Sequence, residues 1–294
     1  MPPSARPLVS IITPTFNMAQ YLPQTIESVL AQDYPNIEYI VVDGGSTDGT
    51  LEILESYRGR LRYFSEPDRG PSDAAAKGFD QSRGEIFAWL NADDTYLPGA
   101  VTQGVAYLEA HPEADVVYGE GWWIDELGAR IDRYPTLPFD PKTLERECFI
   151  CQPSSFMRAE AYRRAPLDPE ITQAFDYDLW IRMAKAGILF QAMPDYLANS
   201  RMHAGAKTLR ERENVFDASM GLLKRHYGYI PLPWIFGYTA YRMDHRDQFF
   251  EPLRPNAWKY LASLPVGLWY NRRKPFRFMT EWLVKGGREL VRRR

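Results

Sequence analysis

The first 90 residues constrain the fold most tightly. Apolar, β-branched runs at 8–12, 37–42 and 86–90, with a weaker one at 61–64, alternate with segments of helical period. In 21–31 the helical spacing falls on Leu22, Ile26, Val29 and Leu30, and in the next segment on Leu51, Ile53 and Leu54 behind a capping Asp48. A further helix is expected over 73–81. Strands that alternate with helices pair in parallel. Ligands of such sheets gather outside the carboxyl ends of the strands. Three polar clusters stand there: Thr13-Pro14-Thr15, Asp43-Gly44-Gly45-Ser46 and Asn91-Ala92-Asp93-Asp94.

The pattern then loosens. Helices are expected over 98–110, 140–148, 177–186 and 214–227, and strands over 115–119, 154–157 and 188–193, with a loop over 199–206. A chain of 294 residues with 45% hydrophobic content can bury a sizeable core in one large domain plus an appendage. Cys148 and Cys151 have no second pair to complete a zinc site and read as ordinary thiols in a reducing compartment. Residues 1–10 hold no apolar signal core, and no window approaches 18 apolar residues. The expected location is therefore the cytoplasm.

Charge is unevenly spread. Residues 254–294 carry eleven Lys and Arg against two acids, a net of +9 in a chain of −3, leaving −12 for residues 1–253. That end also holds Trp258, Tyr260, Trp269, Tyr270, Phe276, Phe278 and Trp282. Amphipathic helices can be drawn over 253–264 and 278–291. The combination suits an anionic membrane surface at the inner face of the membrane. It also suits nucleic acid in general terms, but nucleic acid is not the expected partner.

Two clusters invite specific chemistry. The loop Asp43-Gly44-Gly45-Ser46 lacks both the dinucleotide and the phosphate-loop fingerprints. A carboxylate at its strand end suits the N–H of a nucleotide base. In Asn91-Ala92-Asp93-Asp94, alternation along a strand aims Asn91 and Asp93 one way and Asp94 the other. Asp94 or Thr95 is then expected to start the following helix. Asp93 can meet a hard divalent cation.

The ordered series VSIITPTFNMAQYLPQTIESVLAQDYPNIEYIVVDGGSTDGT, EPDRGPSDAAAKGF and GEIFAWLNADD resembles the donor half of inverting family 2 glycosyltransferases over roughly the first 120 residues. The resemblance implies an α/β chain of the GT-A, nucleotide-diphospho-sugar transferase fold. Its central sheet is expected to be mostly parallel and flanked by helices, with a helical basic C-terminal extension. It implies nucleotide-sugar binding by Pro14, Thr15, Phe16, Asp43, Asp73, Lys77, Asn91, Ala92 and Asp93. Ala76 stands where the family usually has Asn, and Asn91 where it usually has an acid. Asp93 and His203 are the implied ligands of Mn²⁺ or Mg²⁺, imidazole favouring manganese.

The segment 175–183 resembles the family's Glu-Asp-Tyr-Asp-Leu-Trp helix start, with Phe175 in place of Glu. Asp176 is the implied general base, with Asp178 second. Gln152 and Asp178 are the implied acceptor contacts. The implied partners are a nucleotide-diphosphate sugar and a glycan or lipid-linked acceptor. Residues 1–227 form the expected catalytic domain, divided near residue 120 into donor and acceptor halves, and 228–294 the extension. A nucleotidyltransferase that makes sugar nucleotides is the rival enzyme, but Thr13 to Asn17 lacks its Gly-rich basic loop. A non-catalytic glycan- or nucleotide-binding protein is the other rival, and it has no need of Asp176.

Overall fold

The computed structural model describes residues 6–245 and 257–291, with side chains as far as Lys285. The chain forms two compact units, one of residues 1–139 and 149–210, the other of 140–148 and 211–294. In the first, β1 (Val9–Thr15), α1 (Leu22–Leu30), β2 (Ile37–Asp43), α2 (Thr50–Ser56), β3 (Arg62–Ser65), α3 (Pro71–Asp80) and β4 (Ile86–Trp89) follow in the expected alternation. Next come β5 (Thr95–Tyr96), α4 (Ala100–Ala110), β6 (Val116–Ile124) and β7 (Arg130–Arg133). After α5 (Pro141–Leu144), which belongs to the second unit, follow β8 (Ser155–Arg158), α6 (Ala159–Arg164), α7 (Phe175–Lys185), β9 (Phe190–Arg201) and α8 (Lys207–Arg210).

One sheet runs β3-β2-β1-β4-β8-β6-β9-β5, with β7 on β6. The strands β3, β2, β1 and β4 are parallel. Beyond them the sheet is mixed: β8 runs antiparallel to β4 and β6, and β9 runs parallel to β6. The carboxyl ends of β1, β2, β4, β6 and β9 therefore share one edge of the sheet. Strand β1 has β2 on one side and β4 on the other, which makes its carboxyl end the topological switch point.

Burial explains this half. All seven residues of β1 are buried, as are all four of β4, because helices cover both faces of a parallel sheet. Leu22, Ile26 and Val29 of α1 pack with Val9, Ile11 and Val41 on one side. Helix α3 lies so close on the sheet that a Cβ at Gly78 would fall 2.4 Å from Ile12.

The remainder departs from expectation in three places. Asp94 and Thr95 do not start a helix: Thr95 opens β5, paired with Asn199, and α4 begins at Ala100 behind Gly99 in a left-handed conformation. Residues 199–201 are not loop but the last part of a twelve-residue β9. The β6–β7 hairpin was not foreseen. In the second unit, α9 (Arg212–Tyr227), α10 (Leu232–Asp244), α11 (Ala257–Tyr270) and α12 (Pro275–Val291) bury Phe216, Met220, Ile235 and Phe278 together. Of the two helices drawn in the basic end, residues 253–256 lie outside the described residues.

Gly78→Ala should lower stability by about 1–3 kcal/mol, the usual cost of overpacking a filled core. Urea unfolding followed by tryptophan fluorescence checks this; an unchanged midpoint would show that Ile12 and Val42 yield freely.

Candidate active site at the carboxyl edge of the sheet

The loops after β1 and β2 are sewn together. Asn17 N–H donates to Ser46 Oγ at 2.7 Å, and Thr47 N–H donates to Asn17 Oδ1 at 2.8 Å. Ala19 N–H donates to Asp48, which also accepts the N–H and hydroxyl of Thr50 at the start of α2. Asn17 has φ 52°, a left-handed conformation that Asn tolerates. The turn leaves Phe16 55% exposed at the lip. Thr15 Oγ1 is buried and has no hydrogen-bond partner among the described residues.

Asp43 is fully buried, and its own loop engages it. Oδ2 accepts from Gly45 N–H, Ser46 N–H and Ser65 Oγ, and Oδ1 accepts from Ser46 Oγ. Acceptor capacity remains on Oδ1. Sequence reasoning missed Asp68, which explains Gly44: a Cβ there would lie 2.5 Å from Asp68 Oδ2. Burial raises the Asp68 carboxyl above its ordinary value. At the start of α3, Asp73 accepts from Arg69 N–H and its guanidinium, at 3.1 and 2.9 Å. Lys77 stands between Glu66 at 2.8 Å and Asp73 at 3.5 Å.

After β4 the chain turns, Asp94 N–H donating to Asn91 O. Strand alternation therefore stops before Asn91, and the expected pairing of Asn91 with Asp93 does not form. Asn91 Nδ2 instead donates to Asp94 Oδ2 at 3.3 Å and to Gln152 Oε1 at 3.1 Å. Gln152 is itself buried, its Nε2 donating to Trp89 O. Ala92 is buried beneath the turn.

The two acids of the turn diverge. Asp93 Oδ2 lies 3.1 Å from His203 Nε2, whose ring packs on Tyr21 at 4.5 Å. Asp94 is buried, and its Oδ1 accepts Arg201 N–H at 2.8 Å. Burial, then the charge of Asp93, pushes the Asp94 carboxyl well above the carboxylate range. Arg201, also buried, was not anticipated. Its guanidinium donates to the carbonyls of Asp93, Asp125 and Glu126 and to Gln24 Oε1.

Asp93 and His203 fit a divalent cation. Two adjacent ligands of an octahedral ion, each about 2.1 Å from it, stand about 3 Å apart, close to the separation found. Among the described residues no third His, Cys, Asp or Glu joins them.

Helix α7 supplies the other carboxylate. Its first turn is brought to β4 by rings: Trp89 stacks on Phe175 at 6.1 Å and on Trp180 at 5.7 Å. Asp176 follows Phe175, mostly buried, behind Ala174 in a left-handed conformation. Burial raises its carboxyl, with Tyr177 N–H opposing. Asp178 is buried and bound to Arg182 at 2.6 Å, so it anchors the helix. Cys148 and Cys151 are free thiols, and burial pushes that of Cys151 up to about 12.

Fold and site together describe an α/β glycosyltransferase with its centre at a sheet switch point. The comparisons agree. The model of glycosyl transferase family 2 matches residues 10–164. An uncharacterized glycosyltransferase of Rickettsia prowazekii is 31% identical over 235 residues, covering 74% of this chain and 72% of that protein. Chondroitin synthase of Escherichia coli is 27% identical over 77% of this chain but only 34% of its own length. Staphylococcus aureus TarS, solved in complex with UDP-GlcNAc, shares the fold at a TM-score of 0.61 and 16% identity, over 90% of this chain and 81% of that one. The mannosyltransferase PcManGT from Pyrobaculum calidifontis, in complex with GDP-Man and Mn²⁺, does so at 0.59 and 19%, over 92% and 73%. The chain belongs to glycosyl transferase family 2 and has the GT-A fold.

Arg201→Met removes four N–H donors from part-buried acceptors. It should cost about 3 kcal/mol and lower the thermal midpoint. A midpoint equal to that of wild type would show that water replaces the guanidinium.

Proposed function

We propose that this glycosyltransferase moves a sugar, with inversion, from a nucleotide-diphosphate sugar to a hydroxyl of a glycan or lipid-linked acceptor. The carrying observation is the ring stack on Trp89, which brings the first turn of α7 to the strand that leads into Asp93. The nucleotide-sugar complexes of TarS and PcManGT support this reading through the shared fold.

Pro14, Thr15 and Phe16 line the nucleoside, with the unpartnered Thr15 hydroxyl and the exposed Phe16 ring offering a bond and a stacking face. Asp43 holds the nucleoside loop in shape through Gly45, Ser46 and Ser65. Asp73 orders Arg69, and Lys77 meets the diphosphate by exchanging its exposed partner Glu66. Asn91 and Ala92 shape the turn, and Gln152 steadies Asn91. Asp93 and His203 would hold Mn²⁺ or Mg²⁺, which neutralises charge on the leaving diphosphate.

Asp176 takes the proton from the acceptor hydroxyl as its oxygen attacks the anomeric carbon from the side opposite the diphosphate. No ion pair with Asp176 is found among the described residues, so its basicity is not spent on a cation. The base works ionised, and its carboxyl is raised. Transfer should therefore climb as pH rises through that raised value. Asp176→Asn should lower kcat by about 10²–10⁴ and abolish this limb; full turnover by the variant would refute the assignment. Asp93→Ala should also weaken metal-dependent binding of the nucleotide diphosphate in calorimetry, and Asp176→Asn should not.

The basic end, residues 254–294, is assigned to docking on anionic lipid. In α11, Trp258, Leu261 and Trp269 recur on one exposed face, and in α12 Phe276, Met279 and Leu283 do so. Arg146 and Arg277 line a cavity with Glu281, Phe276 and Val284, and each guanidinium is paired there, Arg146 with Glu281 and Arg277 with Glu145. No helix is long and apolar enough to cross a membrane among the described residues. Replacing Trp258, Trp269 and Phe276 together by Ser should reduce cosedimentation with phosphatidylglycerol vesicles tenfold or more. Equal sedimentation of the two proteins would rule this docking out.

A further inference from the structure

Helix α1 carries two stripes. Leu22, Ile26 and Val29 pack into the core. A second, polar stripe of Tyr21, Thr25 and Ser28 recurs at the same helical spacing, with Gln32 one turn further on. This stripe tracks the segment after β4. Thr25 is fully buried, and its hydroxyl lies 2.8 Å from both Ala92 O and Asp94 O. Ser28 Oγ accepts Tyr96 N–H at 3.1 Å. Gln32 donates to Leu97 O at 3.0 Å and accepts Val101 N–H at 3.2 Å. Hydrogen bonds are directional where apolar contacts are not, so the stripe fixes the register of this segment on the helix.

The leading end of the stripe meets both Asp93 and His203. Ala92 O and Asp94 O belong to the residues on either side of Asp93, so Thr25 grips the turn around that carboxylate. One hydroxyl proton is shared by the two carbonyls, and both must converge on it. Tyr21 is buried, its ring 4.5 Å from the His203 imidazole and 5.0 Å from the Arg201 guanidinium. The imidazole is also confined at its Nδ1 edge. A Cβ at Gly205 would fall 3.2 Å from Nδ1, closer than side chains ordinarily approach. These contacts leave Nε2 facing Asp93 Oδ2.

We propose that Tyr21 and Thr25 are positioning residues for the divalent cation: Thr25 sets the Asp93 turn and Tyr21 sets the His203 ring, from one face of one helix. This rests on the reading above that Asp93 and His203 hold the metal. The two residues stand about one turn apart on α1, so a stiff element fixes the separation of the two ligands. Neighbours that orient metal ligands contribute about 10–100-fold to metal affinity. Ser28 and Gln32 belong to the same stripe but serve β5 and α4, and they have no such role.

The test titrates Mn²⁺ into the full chain, alone and with UDP or GDP, and follows free Mn²⁺ by electron paramagnetic resonance. Thr25→Val, which keeps the branched shape and removes the hydroxyl, and Tyr21→Leu should each raise the Mn²⁺ Kd roughly tenfold. The conservative variants Thr25→Ser and Tyr21→Phe should stay within about threefold of wild type. Ser28→Ala, which breaks the bond to Tyr96 N–H, should leave the Kd within about twofold. Wild-type affinity in Thr25→Val or in Tyr21→Leu overturns the role of that residue. An equal loss in Ser28→Ala overturns both, since it would mean a general loosening of the helix. A wild type that binds Mn²⁺ no better than Asp93→Ala refutes the metal reading instead, and the metal-free protein then decides the positioning. There the Cε1–H proton resonance of His203, assigned by its loss in His203→Gln, should shift in Tyr21→Leu and not in Tyr21→Phe. A resonance unmoved in Tyr21→Leu overturns the proposal.

Discussion

The site depends on one buried cation. Arg201 ends β9, and its guanidinium gathers carbonyls from the turn after β4, the hairpin after β6, and a side chain of α1. Backbone carbonyls at strand ends have no ladder partner, and burying them bare costs more than a hydrogen bond returns. One rigid fork with five N–H donors settles several of these debts at once. His203, two residues later, inherits its place from this anchor, and Asp93 receives it from the other end. The pair of Asp93 and His203 is thus placed by a residue whose hydrogen bonds go to neither of their side chains.

Two adjacent carboxylates at one turn would repel if both were ionised and equally placed. The structure separates their roles by environment. Asp93 is turned to the imidazole, while Asp94 is enclosed, with a backbone N–H on one oxygen and an amide on the other. Burial raises Asp94 and favours its neutral form. Asp176 and Asp178 divide in the same way. One is bound to Arg182 and steadies the helix, and the other, raised by burial, is left with backbone contacts only.

The parallel half of the fold was legible because its strands are wholly buried and read as continuous apolar runs between helical periods. The mixed half was not. Pro194 sits within β9, where a proline removes one ladder donor. It is tolerated because β5 pairs only with Ala198 and Asn199, leaving β9 open on that side at Pro194, and because the β6 register shifts nearby. Alternation was carried past the end of β4 into a turn, which misplaced Asn91. Asp43 was readable as a strand-end acid, but not the hydroxyls of Ser46 and Ser65 that enclose it. Arg201 looked like any charge in a loop, since its acceptors come from segments up to 177 residues away in sequence.

The two sides of the sheet present side chains by different means. On the parallel side, strand ends and tight loops present carboxylates and amides held by backbone bonds. On the mixed side, β6, β7 and β9 present side chains at a strand spacing of about 4.8 Å. Joining the halves is Trp89, whose indole carries α7 and whose carbonyl accepts from Gln152.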